Sequence, residues 1–270
     1  MIKDVMAFFE AGMGGANHVA AAVAVAQAHG AGLVGVCAVD LPAIPVYAEA
    51  PIGADLIERE LERRRQEAGR LETAFRAAAG KAKVAATWAA VESDPVSVAL
   101  EYGRTADLTV LGQPQPDAGA EAGDLEEIAL ALGRPTLVVP YVAAAGPIGE
   151  RVLVAWNGSR EATRAAHDAL PFLARAKSVL LAGIDLDERQ RAGAERMAAH
   201  LARHGVKAEV RRLVAGSLGV GDVLLNAISD EGADLVVMGA YGHSRMRELV
   251  LGGATRTLFR QMTVPVLLSH

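Results

Sequence analysis

Ala233-Asp234-Leu235-Val236-Val237-Met238-Gly239 stands in the last quarter of the chain, and Ala106-Asp107-Leu108-Thr109-Val110-Leu111-Gly112 is its copy in the first half. In both, an aspartate precedes a short apolar run of strand length that closes on glycine. Each copy is followed by a second apolar run opened by proline, Pro265-Val266-Leu267-Leu268 in one case and Pro135-Thr136-Leu137-Val138-Val139 in the other. Self-similarity of this kind means two units built on one plan. Small residues with glycine and proline fill 142–149, a breaker-rich stretch that reads as the junction. The expected domains are therefore 1–148 and 149–270.

Working outward from the repeat, apolar runs alternate with longer segments of helical period. In the second half, strands are expected near 151–156, 178–184, 206–214, 235–239 and 264–268, and helices near 160–174, 189–204, 219–230 and 253–261. The helix at 189–204 places Ala194, Met197, Ala198 and Leu201 on one face, the stripe of a helix that packs on one side only. Most strands are nearly continuous apolar runs, as parallel strands covered on both faces are, whereas Val206, Ala208 and Val210 alternate with charged residues and read as an edge. The first half repeats the order, with strands near 2–9, 32–39, 83–91, 107–112 and 136–140 and a charged helix near 55–79. The fold class is α/β: two tandem open, doubly wound, parallel five-stranded sheets of Rossmann-like form. Such sheets place ligands beyond the carboxyl ends of their strands, where the winding reverses.

Composition narrows the function. Half of the 270 residues are apolar and the formal charge is −5, so a basic surface for nucleic acid is not expected. No run reaches the roughly 18 apolar residues of a membrane span, and the first residues lack the pattern of a signal peptide, so a cytoplasmic protein without a membrane partner is expected. The single cysteine, Cys37, lies in an apolar run and reads as a core residue.

The segment with the most chemistry runs from Gly239-Ala240-Tyr241-Gly242-His243-Ser244-Arg245 to Gly252-Gly253-Ala254-Thr255. Gly239 and Gly242 allow positive φ and a close backbone approach to an anion. Gly252 and Gly253 precede a helix whose free N–H groups suit a phosphate. His243 and Arg245 are either phosphate neighbours or solvated loop residues. Asn157, in Trp156-Asn157-Gly158-Ser159, is able to read an adenine edge with its amide, or else belongs to a turn followed by an N-cap serine.

In these residues the chain resembles the universal stress protein family. Its nucleotide-binding members carry Gly, two residues, Gly, nine residues, Gly, then Ser or Thr, and Gly239, Gly242 and Gly252 fit that spacing. The resemblance covers the whole chain as two domains in tandem and implies an adenine-nucleotide-binding fold of the alpha-hydrolase-like kind. One departure is Gly253, where the ATP-binding members have a hydroxyl residue; Thr255 stands two residues on. By resemblance Asn157 replaces an adenine-contacting aspartate, and Asp185 at the end of the second strand lines the base and ribose pocket. The implied cofactor is ATP, with or without Mg2+, in a regulatory stress-response module rather than an enzyme. The corresponding first-half loop, Gly112-Gln113-Pro114-Gln115-Pro116, has Gln115 in place of the second glycine and two prolines that remove N–H donors, so that half is expected not to bind nucleotide. The resemblance further implies an intramolecular pseudo-dimer through the strands near 136–140 and 264–268, and possible further association into a homodimer.

Three other features carry less. Gly12, Gly14 and Gly15 after the first strand, with Asp40 ending the second, lack the third glycine of a dinucleotide fingerprint. His200 and His204 have metal-chelating spacing, but a histidine in a last helical turn before Gly205 serves equally to complement the helix dipole. The proline-rich stretch 42–51 is either a lid or a packed connection.

Overall fold

The structure, a computed structural model, describes residues 1–11, 16–40, 54–114, 122–142, 146–240 and 253–270. They pack as two compact units, Ile2–Leu132 and Gly133–His270, the second also taking Met1.

The first unit runs β1 (Asp4–Glu10), α1 (Ala16–His29), β2 (Gly32–Ala38), α2 (Ala54–Ala82), β3 (Ala86–Val91), α3 (Pro95–Gly103), β4 (Leu108–Gly112) and α4 (Ala122–Ala131). β1 pairs in parallel with β2 and β4, and β2 with β3, giving the order β3-β2-β1-β4. Its core carries the aromatic side chains. Phe9 stacks on His18 at 4.3 Å between ring centroids and meets Trp88 at 5.2 Å, while Phe75 meets Trp88 at 5.3 Å. Gly35 leaves room for this cluster, since a Cβ there would fall 2.3 Å from the Trp88 ring.

The second unit runs β5 (Thr136–Val139), β6 (Arg151–Ala155), α5 (Arg160–Asp168), α6 (Leu170–Leu173), β7 (Ser178–Ile184), α7 (Glu188–Arg203), β8 (Ala208–Leu213), α8 (Val220–Glu231), β9 (Leu235–Gly239), α9 (Gly253–Gln261) and β10 (Val266–Ser269). β6 pairs in parallel with β7 and β9, β7 with β8, and β9 with β10. No residue of β8 is fully buried, and it pairs only with β7 among the described strands, the edge position that its charged sequence alternation predicts. Val152, Leu153, Val154, Leu235, Val236 and Val237 are buried at the centre, covered on both faces as continuous apolar strands must be.

Two features differ from the sequence expectation of five parallel strands per half and a junction near 148. β5 pairs antiparallel with β10, Leu137 opposite Leu267, so the last strand of the first repeat is built into the sheet of the second unit. The packing accordingly divides between Leu132 and Gly133. All four β5 residues are buried, and a short buried strand is stable only where its polar backbone is paired and both faces are covered.

The repeated aspartates have one job each. Asp234 accepts hydrogen bonds from the backbone N–H groups of Gly149 (2.8 Å), Arg151 (3.1 Å) and Glu150 (3.2 Å). Asp107 accepts from Lys3 (2.7 Å) and Asp4 (3.2 Å). Each carboxylate thus fixes the start of the first strand of its repeat beside the start of the fourth.

Candidate functional site

Strands β7 and β8 extend the second sheet to one side of β6, and β9 and β10 extend it to the other, so the winding reverses between β6 and β9. The carboxyl ends of β7, β6 and β9 lie side by side and bring Asp185, Asn157 and Gly239 to one edge.

At the end of β6 the chain turns into α5. Trp156 N–H donates to the Ala182 carbonyl (2.8 Å), which keeps it in the sheet. The Asn157 side-chain oxygen accepts from Ser159 N–H (3.0 Å), Gly158 takes φ +76°, and the Ser159 hydroxyl accepts from Ala162 N–H (3.1 Å) as the N-cap of α5. The Asn157 oxygen is therefore engaged in a turn and Ser159 in a cap, the local role that these residue types favour.

Gly239 closes β9 against the first turn of α5. A Cβ at this position would come 2.5 Å from the Ala162 backbone nitrogen and 2.7 Å from the Glu161 Cβ. Packing of β9 on α5 thus accounts for the glycine, whereas the sequence reading assigned it to phosphate approach. Glu161 is buried beside it and paired with Arg160 at 2.9 Å; despite the cost of burial, its carboxyl is held below its ordinary value by hydrogen bonds and the Arg160 charge. Gly242, His243, Arg245 and Gly252 lie outside the described residues. Gly253 opens α9, and no described residue lies within 4 Å of where a Cβ would stand. Thr255 is buried in the first turn of that helix.

Asp185 takes φ +48°, uncommon for a residue with a Cβ. Its carboxylate faces the turn after β8, accepting weakly from Ala215 N–H at 3.3 Å. Leu186 then folds back over Gly183, where a Cβ would lie 2.2 Å from it.

The first unit has the same frame with different chemistry. Gly112 ends β4 against His18 of α1, whose Nδ1 would stand 2.7 Å from an added Cβ, the counterpart of Gly239 against α5. Gln115 lies outside the described residues. At the end of β1, Glu10 has its carboxyl pushed up to about 7, first by burial and then by the carboxylates of Asp124 and Asp40, with Arg64 opposing. The strand ends here are acidic where those of the second unit carry Trp156 and Asn157. Cys37 is buried and its thiol is pushed up to about 12 by burial, which keeps it protonated and unreactive.

The histidines of α7 gather with one from α5: the rings of His167 and His200 are 4.9 Å apart, and those of His200 and His204 are 4.8 Å apart. His204 caps the C-terminus of α7. Among the described residues no group of three histidine, cysteine or acidic side chains is disposed to hold a metal ion. No described helix is long and apolar enough to cross a membrane.

Residues 149–270 match the sequence model of the Universal stress protein family. This part of the chain belongs to that family. The universal stress protein Slr1230 of Synechocystis is 30% identical over 175 residues, covering 60% of this chain and 57% of the relative. The match thus spans somewhat over half of that relative's length. Among solved structures, a universal stress protein from Archaeoglobus fulgidus superposes with a TM-score of 0.74 at 15% identity, covering 98% of this chain and 97% of that one. A second, described as a putative universal stress protein from Pseudomonas aeruginosa, gives 0.59 at 14% identity, covering 99% and 93%. At such identities the likeness is one of fold. The universal stress protein domain of this chain therefore has a mostly parallel α/β sheet with a switch point between β6 and β9. Sequence reasoning missed the packing role of Gly239 and the cleft beside Trp156 described below; the small residues of α5 at positions 162, 165 and 166 were the only sequence signal of a close helix–strand approach.

Proposed function

We propose that the universal stress protein domain binds an adenine nucleotide, ATP with or without Mg2+, at the carboxyl ends of β6 and β9, and that the protein acts as a cytoplasmic regulatory module of the stress response rather than as an enzyme. The observation that carries this reading is the switch point itself: the two central strands diverge there, Asn157 and Gly239 close adjacent strands, and α9 begins with Gly253, which carries no side chain. Helix N-termini and strand ends of this kind attract phosphate through free N–H groups and the helix dipole. The first unit is assigned a structural part, since the acidic groups around Glu10 would repel a polyphosphate.

Denaturing the purified protein and weighing any released small molecule tests the ligand, and calorimetric titration with ATP and magnesium tests the count. One nucleotide per chain is expected, with the heat lost in Gly242→Val. A stoichiometry near two, or unchanged binding in the variant, overturns the assignment.

A second reading has its own support. The Asn157 oxygen is engaged by Ser159, Asp185 turns to Ala215, and Thr255 is buried, so two side chains assigned to the ligand are already engaged and a third is covered. On that reading the domain works through protein contacts alone. Absence of any ATP-dependent rise in melting temperature at millimolar ATP with magnesium would favour it.

A further inference from the structure

A cleft of about 650 Å³ opens between α5 and α7, lined by Trp156, His167, Arg189, Arg196, Met197 and His200 among others. Its volume is that of a small-molecule site. It meets the carboxyl end of β6 at Trp156, Asn157 and Gly158, and neither Gly239 nor Gly253 lines it.

Its chemistry is one-sided. Arg189 and Arg196 are exposed and make no ion pair with any described residue, whereas Arg191 on the same helix pairs with Glu195. The one carboxylate in the lining, Asp187, is spent as the N-cap of α7, accepting from Gln190 N–H at 2.7 Å. His167 donates Nδ1–H to the Thr163 carbonyl (2.8 Å), which leaves its Nε2 free. Trp156 is 6% exposed and its indole N–H has no partner, and neither has Nε2 of His200. Such groups inside a protein normally find a hydrogen bond. Around His200 stand His167, His204 and Arg203; burial first, and then those neighbours, lower its tendency to take a proton. Uncompensated cationic donors, an unpartnered indole and the apolar surface of Trp156 and Met197 meet in one cleft.

We propose that this cleft binds a small organic anion with a planar apolar body, a carboxylate or phosphate ester of aromatic size. Arg189 and Arg196 hold the charged head, as guanidinium groups do for planar or tetrahedral oxyanions. Trp156 and Met197 cover the ring. The cleft shares Asn157 with the proposed nucleotide site, but its arginines and Met197 stand on α7, away from Gly239 and Gly253.

The chain has two tryptophans, Trp88 and Trp156, so a nitrogen-15 spectrum of the full-length protein resolves two indole signals, assigned by Trp156→Phe. Phenyl phosphate is the probe. Titration is expected to move the Trp156 signal saturably while Trp88 stays in place, with affinity reduced about tenfold in Arg189→Ala and in Arg196→Ala, each of which removes a charge-assisted contact. Neutral benzamide is expected to leave the signal unmoved, and inorganic phosphate to bind more weakly than phenyl phosphate. Both arginines are exposed and unpaired, so the variants retain the fold, which an unchanged Trp88 signal verifies. The proposal is overturned if Trp156 shows no saturable shift, if both arginine variants bind as the natural chain does, or if benzamide binds equally well. Equal binding of inorganic phosphate rules out the planar body. Loss of phenyl phosphate binding in Gly242→Val would place the ligand in the nucleotide crevice instead.

Discussion

Gly239 lies directly against Ala162: a Cβ at the end of β9 would stand 2.5 Å from the Ala162 backbone nitrogen. The obstacle is helix backbone, which cannot rotate aside as a side chain does. Gly239→Ala is expected to destabilise the protein by about 1–3 kcal/mol through overpacking, with the loss measured by denaturant unfolding at a fixed pH. An unchanged midpoint would mean that α5 moves freely and that the glycine is kept for the loop that follows.

Asp234 replaces the lost pairing of three strand-start N–H groups with one carboxylate. Asp234→Ala is expected to cost about 1–3 kcal/mol, since removing one partner leaves half-buried donors unpaired. Asp107→Ala should cost less, because the two N–H groups that it serves are exposed to water. Comparing the two unfolding midpoints checks the order, and an equal loss would show that solvent exposure does not separate them.

His18 is fully buried on Phe9 and burial lowers its pKa from 6.5 to about 4. The unfolded chain takes up a proton that the native state refuses, so this group's contribution to stability is complete above pH 6.5 and is lost as pH falls through 4. The full effect is about 3 kcal/mol. His18→Phe keeps a ring on Phe9 but cannot titrate. Its stability is expected to vary less between pH 6.5 and 4 than that of the natural chain, whatever its absolute value; parallel curves would refute the assignment.

Glu10 behaves in the opposite sense. Its carboxyl is raised from 4.5 to about 7 by burial, Asp124 and Asp40, so the native state holds a proton that the unfolded chain releases, and stability falls as pH rises from 4.5 to 7. Glu10→Gln is expected to stabilise the protein by about 1–2 kcal/mol above pH 7, reduced for partial exposure, and by almost nothing near pH 4. Chemical denaturation at pH 4 and pH 8 reads this difference. A gain of the same size at both values would trace it to packing instead of charge.

The repeat Asp-Leu-Val-Val-Met-Gly and its first-half copy carried the two-unit α/β plan, the strand and helix order and the edge position of β8, because burial of a parallel sheet imposes continuous apolar runs and exposure of an edge imposes alternation. Those are local patterns, and one sequence is enough to read them. It also put Asn157 and Gly239 at the ends of their strands, and the structure makes those strands neighbours. What the sequence by itself did not determine was where each of those residues spends its bonding groups. The turn of Asn157 with Ser159 was one of two local readings, whereas Asp185 facing Ala215 and Gly239 making room for Ala162 depend on neighbours brought in by packing. The seating of β5 beside β10 and the cleft between α5 and α7 were likewise decided by tertiary structure, because strand partners and the space between helices are set by contacts between segments distant along the chain, which no local period encodes.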